Sequence, residues 1–384
     1  MIAEPTLRPL LRFNNTADPD AFRDEISACC FDGHGRLWCG TDELNGLSCL
    51  TPQPAAASGA ATFGAHRYVD LAGAMKLPDG RDEEIDIEGM DYGEGRIWIV
   101  GSHTATRRKA DPDQPDDDQL KALRRVRRRL NRFTLGFVEL PGEPGRASRS
   151  DAADMSPRVA QLPLGKRGNK LSEALRHDDH LAPFLRCQDA GRGWPQLATK
   201  ENGFDVEGLA AGGNRLVLGL RGPVLRGWAL LLDVVVDDGK APKLKLEKIG
   251  RDVGGKKRVY RKHFLQLDGM GVRDLCWQGN DLLILAGPTT DMTGRQTLWR
   301  LRGAATLDDD SITWRGRSLE PLFDLPFAPD GDKAEALAPW YPTTSATAGD
   351  GHAGVLVVYD APVSARKIGQ DGVRADVFAL PAAE

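Results

Sequence analysis

Two carboxylates and one arginine mark the stretch richest in usable chemistry. Asp205 and Glu207 open the apolar segment Phe204-Asp205-Val206-Glu207-Gly208-Leu209-Ala210, and Arg221 stands near the end of the next, Leu216 to Pro223. Gly212-Gly213-Asn214 between them is a tight-turn sequence, so the pair predicts a β-hairpin. Antiparallel pairing sets the start of the first strand beside the end of the second, which brings Asp205, Glu207 and Arg221 to one sheet edge. The same polar ends recur along the chain. Strand starts carry Asp86, Glu88, Asp274 and Glu335, and second-strand ends carry Thr41, Asp42, Glu43, Ser102, His103, Thr104, Arg107, Pro288, Thr289 and Asp360.

Carboxylates gathered in one place raise each other's pKa unless positive charge sits among them. One solution is a hard cation, Ca2+ or Mg2+, held by carboxylate oxygens of Glu88, Glu207, Glu335 and Asp274. Another is an arginine–carboxylate network using Arg221, Arg107, Arg273 and Arg226. A third gives Glu88, Glu207 and Glu335 a structural task, tying strands together through backbone N–H groups. His103, just past a strand end, is the candidate acid/base group alongside Glu207. Arg107 and Arg221, with Ser102 and Asp42, are the candidate contacts for a small anionic ligand. His177-Asp178-Asp179-His180 groups ligand-type residues on a polar helix end or loop. The chain carries no GxSxG, P-loop, GxGxxG or HExxH pattern.

The elements that must position these residues are hairpins. They run Ile26–Phe31 with Arg36–Gly40, Asp86–Tyr92 with Arg96–Gly101, the pair around Glu207, Val272–Trp277 with Asp281–Gly287, and Lys333–Ala338 with Gly354–Asp360, the last joined by a long turn through His352. Further strands are expected at 6–13, 133–140, 228–236, 243–249, 259–267, 298–302, 312–315, 319–325 and 373–380, with surface loops at 52–62 and 141–158. Aligned by their polar position, the hairpins begin at Ile26, Ile87, Val206, Val272 and Ala334, mostly roughly 60–66 residues apart, about what a four-stranded unit needs. The Ile87–Val206 interval is about twice that, one unit with insertions or two units.

Repeated strand-rich units that close on themselves predict an all-β fold, a single β-propeller spanning 1–384 with five to seven blades, six preferred. Two insertions are expected, a charged helical one at 102–132 and a second at 165–200. The basic run Gln119–Arg132 reads as a helix whose acidic start and basic end suit the helix dipole. The N-terminal strand could complete the last sheet and remove its free edge.

Composition fits this. The chain has 384 residues, 43 Gly, 24 Pro and a net charge of −4, ordinary for a globular protein and not suggestive of nucleic-acid binding. No apolar run is long enough for a membrane span, and the N-terminus lacks the features of a secretory signal, so a cytoplasmic location is expected. Cys29, Cys30, Cys39, Cys49, Cys187 and Cys276 form no CxxC pair and read as reduced, buried thiols.

Asp86-Ile-Glu88-Gly89, Gly101-Ser-His-Thr104 with Arg107-Arg108-Lys109, Phe204 to Ala210, Gly219-Leu-Arg-Gly-Pro-Val-Leu-Arg226 and Ala286-Gly-Pro288 together resemble an uncharacterised bacterial family, domain of unknown function 3616. The resemblance runs from about residue 20 to 380 and implies a propeller-like fold with no assigned reaction. The Asp-x-Glu-Gly element is also similar to that of phytase-like and esterase-like propellers, and to the Glu-Gly opening of gluconolactonase-type propellers. The last similarity implies a metal-ligating role for Glu88 and Glu207, although Met90 and Leu209 stand where that motif has proline. The expected function is divalent-metal-dependent hydrolysis of a phosphate- or carboxylate-bearing ester at the channel mouth. The alternative is a non-catalytic propeller that binds a small ligand or a protein partner.

Overall fold

Each hairpin pairs strands that are apolar enough to be covered on both faces. Leu37–Thr41 and Arg96–Gly101 are buried along their whole length, as is nearly all of Asp205–Gly212. Turn chemistry fixes the register. Between Phe31 and Leu37, Asp32 accepts hydrogen bonds from the amides of His34 (2.9 Å) and Arg36 (3.0 Å), and Gly35 takes φ +74°. The computed structural model describes residues 2–16, 18–54, 61–139, 157–189, 196–252, 254–290, 292–326, 331–340 and 354–381.

The arrangement is all-β and propeller-like. The first sheet joins Ile26–Phe31, Leu37–Thr41, Gly46–Pro52 and Thr62–Asp70, and the second Ile87–Gly93, Arg96–Gly101, Leu135–Glu139 and Arg158–Gln161. The third begins Asp205–Gly212, Arg215–Leu225, Trp228–Asp237 and Arg261–Leu265. The fourth is Gly271–Gln278, Asp281–Gly287, Thr297–Leu301 and Leu319–Asp324, and the last Lys333–Trp340, Gly354–Asp360 and Asp376–Ala379. The opening strands of these sheets touch in sequence around a ring, and the last touches the first. A hydrophobic core fills each gap between neighbours. Trp38 and Met90 share one, Trp98 and Leu209 the next, Val217 and Ile284 a third, Leu283 and Val357 a fourth, and Cys29 with Leu356 the one that closes the circle.

The chain ends meet at that closure. Leu10–Arg12 pairs with Thr62–Phe63 and with Gly372–Arg374, while Leu7 bridges Val377 on the outer edge of the last sheet. The N-terminus therefore covers that edge, as expected, but its regular strand belongs to the first sheet.

Several expectations need correction. The double-length interval, left open as one unit with insertions or two units, holds one four-stranded sheet and a separate two-stranded ribbon among the described residues. The basic run is not one helix: the helix is Asp116–Leu123, Val126–Arg128 is a strand paired with Ala105–Arg107, and Asn131–Phe133 is a turn of 3-10 helix. Much of the run's charge is spent inside the protein. Arg128 meets Asp189 at 2.5 Å, Arg129 meets Glu83 and Glu84 at 2.7 Å, and Arg132 meets Asp86 at 2.8 Å. Arg124, Arg125 and Arg127 are exposed. The second insertion contains two short helices, Lys170–Leu175 and Ala182–Arg186, the first capped by the Asn169 side chain. Thr62–Asp70 is a strand that the sequence reading did not anticipate. The expected loop at 141–158 and the turn through His352 lie largely outside the described residues. No helix among the described residues is long and apolar enough to cross a membrane. All six cysteines are buried and form no disulfide among the described residues, and burial raises the pKa of each one for which a shift is resolved.

Candidate channel-mouth site

The ring owes its chemistry to a repeated irregularity. In each hairpin the pairing slips by one residue near the start of the first strand, between Ile26 and Ala28, Ile87 and Gly89, Val206 and Gly208, Val272 and Asp274, and Ala334 and Ala336. A β-bulge leaves one residue unpaired and re-aims its side chain. The five unpaired residues are Ser27, Glu88, Glu207, Arg273 and Glu335, and all of them line one cavity of about 240 Å3. The glycine after Glu88 and Glu207 follows from packing. A Cβ on Gly89 would lie 2.9 Å from the backbone nitrogen of Leu209, and one on Gly208 would lie 3.0 Å from the backbone of Asp274. The Glu-Gly pair is thus a bulge residue followed by a point of close strand approach.

A second tier stands around this inner ring. Glu25, Asp86, Asp205 and Lys333, each two residues before a bulge residue, line the cavity with Asp42, Ser102, Arg221 and Asp360 from the ends of the second strands. Arg132, Thr199 and Lys200 reach it from the inserted segments.

The charges are distributed unevenly. Arg221 contacts Asp205 and Glu207, each at 2.5 Å, and donates to Thr199 Oγ1 at 2.9 Å. Arg273 contacts Glu207 at 3.1 Å and pairs with Glu335. These arginines and carboxylates are buried, and the carboxylates raise the pKa of both guanidinium groups. Asp86 pairs with Arg132 and accepts from the Ser102 hydroxyl. Asp42 and Glu88 make no hydrogen bond or ion pair with any described residue. Burial first, then neighbouring carboxylates, pushes Asp42 up to about 8 and Glu88 well above the usual carboxyl range. Burial likewise pushes Glu207 up to about 8 against the opposing pull of Arg221 and Arg273.

Raised carboxyl pKa values have a measurable consequence. The folded state holds protons on Asp42, Glu88 and Glu207 that the unfolded chain releases near pH 4. The stabilising contribution of Asp42 and Glu207 is therefore complete below that pH and is lost as pH rises through about 8. Between pH 7 and 8.5 the unfolding free energy is expected to fall, with Asp42 alone supplying roughly 1 kcal/mol. Urea titrations at the two pH values check this, and Asp42→Asn should flatten the slope.

The expected site residues divide. Asp42, Glu88, Ser102, Glu207, Arg221 and Glu335 all line the cavity. Asp274, expected as a metal ligand at the mouth, is instead buried between hairpins and accepts the Leu337 amide at 2.6 Å. Residue 273 has taken the bulge position, so the next side chain turns away from the channel. Arg107 does not line the cavity. It forms a two-point contact with Glu201 and donates to the carbonyl groups of Leu123 (2.5 Å) and Gln196 (2.9 Å). His103 is fully buried behind the wall, at φ +57°. Its Nδ1 meets the Gly101 carbonyl at 2.7 Å and its Nε2 meets the Asn169 amide nitrogen at 2.8 Å. Burial lowers its pKa to about 4, so it is a neutral imidazole with both nitrogens engaged.

His177 to His180 is not a metal cluster. Asp178 bonds the amides of His180 and Leu181, the Tyr260 hydroxyl and Lys262. Sequence reasoning missed Glu25, Ser27 and Lys333, although repeat alignment places them in register with Asp86, Glu88 and Asp205. Nothing in the spacing points to Arg132 or Thr199.

Among the described residues no three His, Cys, Asp or Glu side chains are grouped so as to hold a metal ion. Of the four residues expected to hold Ca2+ or Mg2+, Glu207 and Glu335 already face guanidinium groups and Asp274 faces away. Glu88 alone is open.

Comparisons with known proteins add a family and no reaction. No curated protein matches the chain. Among solved structures, virginiamycin B lyase from Staphylococcus aureus aligns at 8% identity over 97% of this chain and 98% of the other, with a TM-score of 0.32. A provisionally named glucose dehydrogenase from Thermus thermophilus aligns at 12% identity over 94% and 98%, with a TM-score of 0.34. Likenesses this loose say nothing about chemistry. The profile of a family described as "Protein of unknown function (DUF3616)" matches residues 25–376, and the chain belongs to that family.

Proposed function

We propose that this protein binds a small ligand at the channel mouth, in a ring read as five blades, each contributing one bulged residue. The observation that carries this reading is the convergence of all five bulge residues on one cavity while Glu88 and Asp42 keep no partner among the described residues. Unpaired, partly buried carboxyl groups in a cavity mark candidate functional sites.

Ester hydrolysis is the second reading, favoured by the contrast between neighbouring carboxyls. Burial raises Glu88 well above the usual carboxyl range, while Glu207, raised to about 8, is pulled back toward its carboxylate form by Arg221 and Arg273. Groups set apart in this way can divide the roles of proton donor and proton acceptor. Arg221 is occupied by carboxylates, which weakens the anion-binding role expected of it. The donor set does not fit a divalent cation, so no step is routed through one.

Thermal melts of the full chain against a panel of charged and neutral metabolites test the binding reading. A compound that binds only the folded state raises the melting temperature by mass action. The expected result is a shift for the wild type that Glu88→Gln abolishes. A shift unchanged by Glu88→Gln and by Asp42→Asn would place binding elsewhere and overturn the reading. Generic esters and lactones, assayed with Glu88→Gln and Glu207→Gln, test hydrolysis.

A further inference from the structure

The channel mouth is electrically lopsided, and the imbalance identifies what would complete it. Four of the five inner-ring residues have protein partners. Ser27 donates to the Ile87 carbonyl at 2.5 Å, Glu207 meets Arg221 and Arg273, Arg273 meets Glu207 and Glu335, and Glu335 meets Arg273. Glu88 is the exception. Asp42 lines the same cavity, also without a hydrogen bond or ion pair to any described residue, and the two carboxyls would repel if both were ionised. Arg221 and Arg273 lie on the third and fourth hairpins, and Arg132, which reaches the mouth beside the second, is held by Glu84 and Asp86.

We propose that the ligand presents a positively charged nitrogen, an alkylammonium or guanidinium group, to Asp42 and Glu88. This rests on the channel mouth being the binding site. An ammonium group carries three donors and a guanidinium five, and both suit acceptors spread over a wall. A bare divalent cation needs oxygens converging on a point, and the described carboxyls do not converge. A cavity of about 240 Å3 also leaves room for the carbon skeleton that carries the nitrogen.

The test is isothermal titration of the full chain at pH 7.5 with 1,4-diaminobutane and 4-guanidinobutylamine. Butane-1,4-diol, succinate, inorganic phosphate, MgCl2 and CaCl2 are titrated alongside. The amines are expected to bind and the diol and anions to fail. Asp42→Asn and Glu88→Gln should each weaken amine binding tenfold or more. Exposed Asp309 lies outside the cavity, and Asp309→Asn should leave binding unchanged, which separates site binding from general attraction to an acidic protein. Succinate or phosphate binding that depends on mouth residues, without amine binding, would overturn the cationic class and leave the pocket standing. Binding of Mg2+ or Ca2+ alone would do the same. If no probe of any charge binds, the cationic proposal fails. The mouth reading fails with it only if the metabolite panel also gives no Glu88-dependent shift.

Discussion

Arg221→Met is expected to lower the unfolding free energy by about 3–5 kcal/mol, because it leaves buried carboxylates without their counter-charge. Asp205 and Glu207 are 1% and 2% exposed and each lies 2.5 Å from the guanidinium, so water cannot replace it. The loss should shrink at pH 5, where Glu207 takes up a proton and the uncompensated charge falls. It should also be largely repaired in the triple variant Asp205→Asn, Glu207→Gln, Arg221→Met, which removes the charges together. Denaturant midpoints of the single and triple variants at pH 5 and pH 8 decide the matter. A single variant as stable as the wild type at both pH values would mean that Arg221 does not hold the ring together.

Asp274→Ala is expected to cost about 2–4 kcal/mol, while Asp274→Asn should cost less than about 1 kcal/mol. The Asp274 carboxyl accepts the Leu337 amide from the next hairpin at 2.6 Å, and the amides of Leu209 and Leu275 lie close enough to influence it. Truncation to alanine leaves that buried amide unpaired and opens a hole where three inner strands meet. Asparagine keeps the acceptor and the shape. It also matches the charge state, since burial pushes this carboxyl well above the usual range and keeps it neutral. A large loss in the asparagine variant would show instead that Asp274 is ionised and that its charge contributes to stability. Asp91 makes the corresponding link between the second and third hairpins by accepting the Ala211 amide at 2.7 Å. The same pair of substitutions there should follow the same order.

The hairpins were legible because apolar segments flanking Gly-Gly-Asn or Asp-Gly-His-Gly leave local chain geometry little choice. Their phase was legible too. The alignment starting at Ile26, Ile87, Val206, Val272 and Ala334 is the register that sets Ser27, Glu88, Glu207, Arg273 and Glu335 at the bulges. Convergence of Asp42, Glu88, Ser102, Glu207, Arg221 and Glu335 on one cavity followed from that phase alone. The basic run misled because helix propensity and charge pattern are local. Pairing of Val126–Arg128 with Ala105–Arg107, and contacts from Arg128, Arg129 and Arg132 to distant carboxylates, outweighed them.

By itself the sequence determined a ring of strand-rich units with their polar ends at one mouth, because period, turn residues and strand patterning are properties of nearby residues. Only the tertiary structure decided which carboxylates are neutralised and which are left open. That outcome depends on angstrom-scale meetings of side chains far apart in the chain. One residue of register puts Arg273 in the channel and Asp274 in the wall, packing behind Phe133 and Asn169 withdraws His103, and Arg221 and Arg273 are taken up by Asp205, Glu207 and Glu335. Asp42 and Glu88 remain as carboxyl groups without a partner among the described residues, and no spacing along the chain records that.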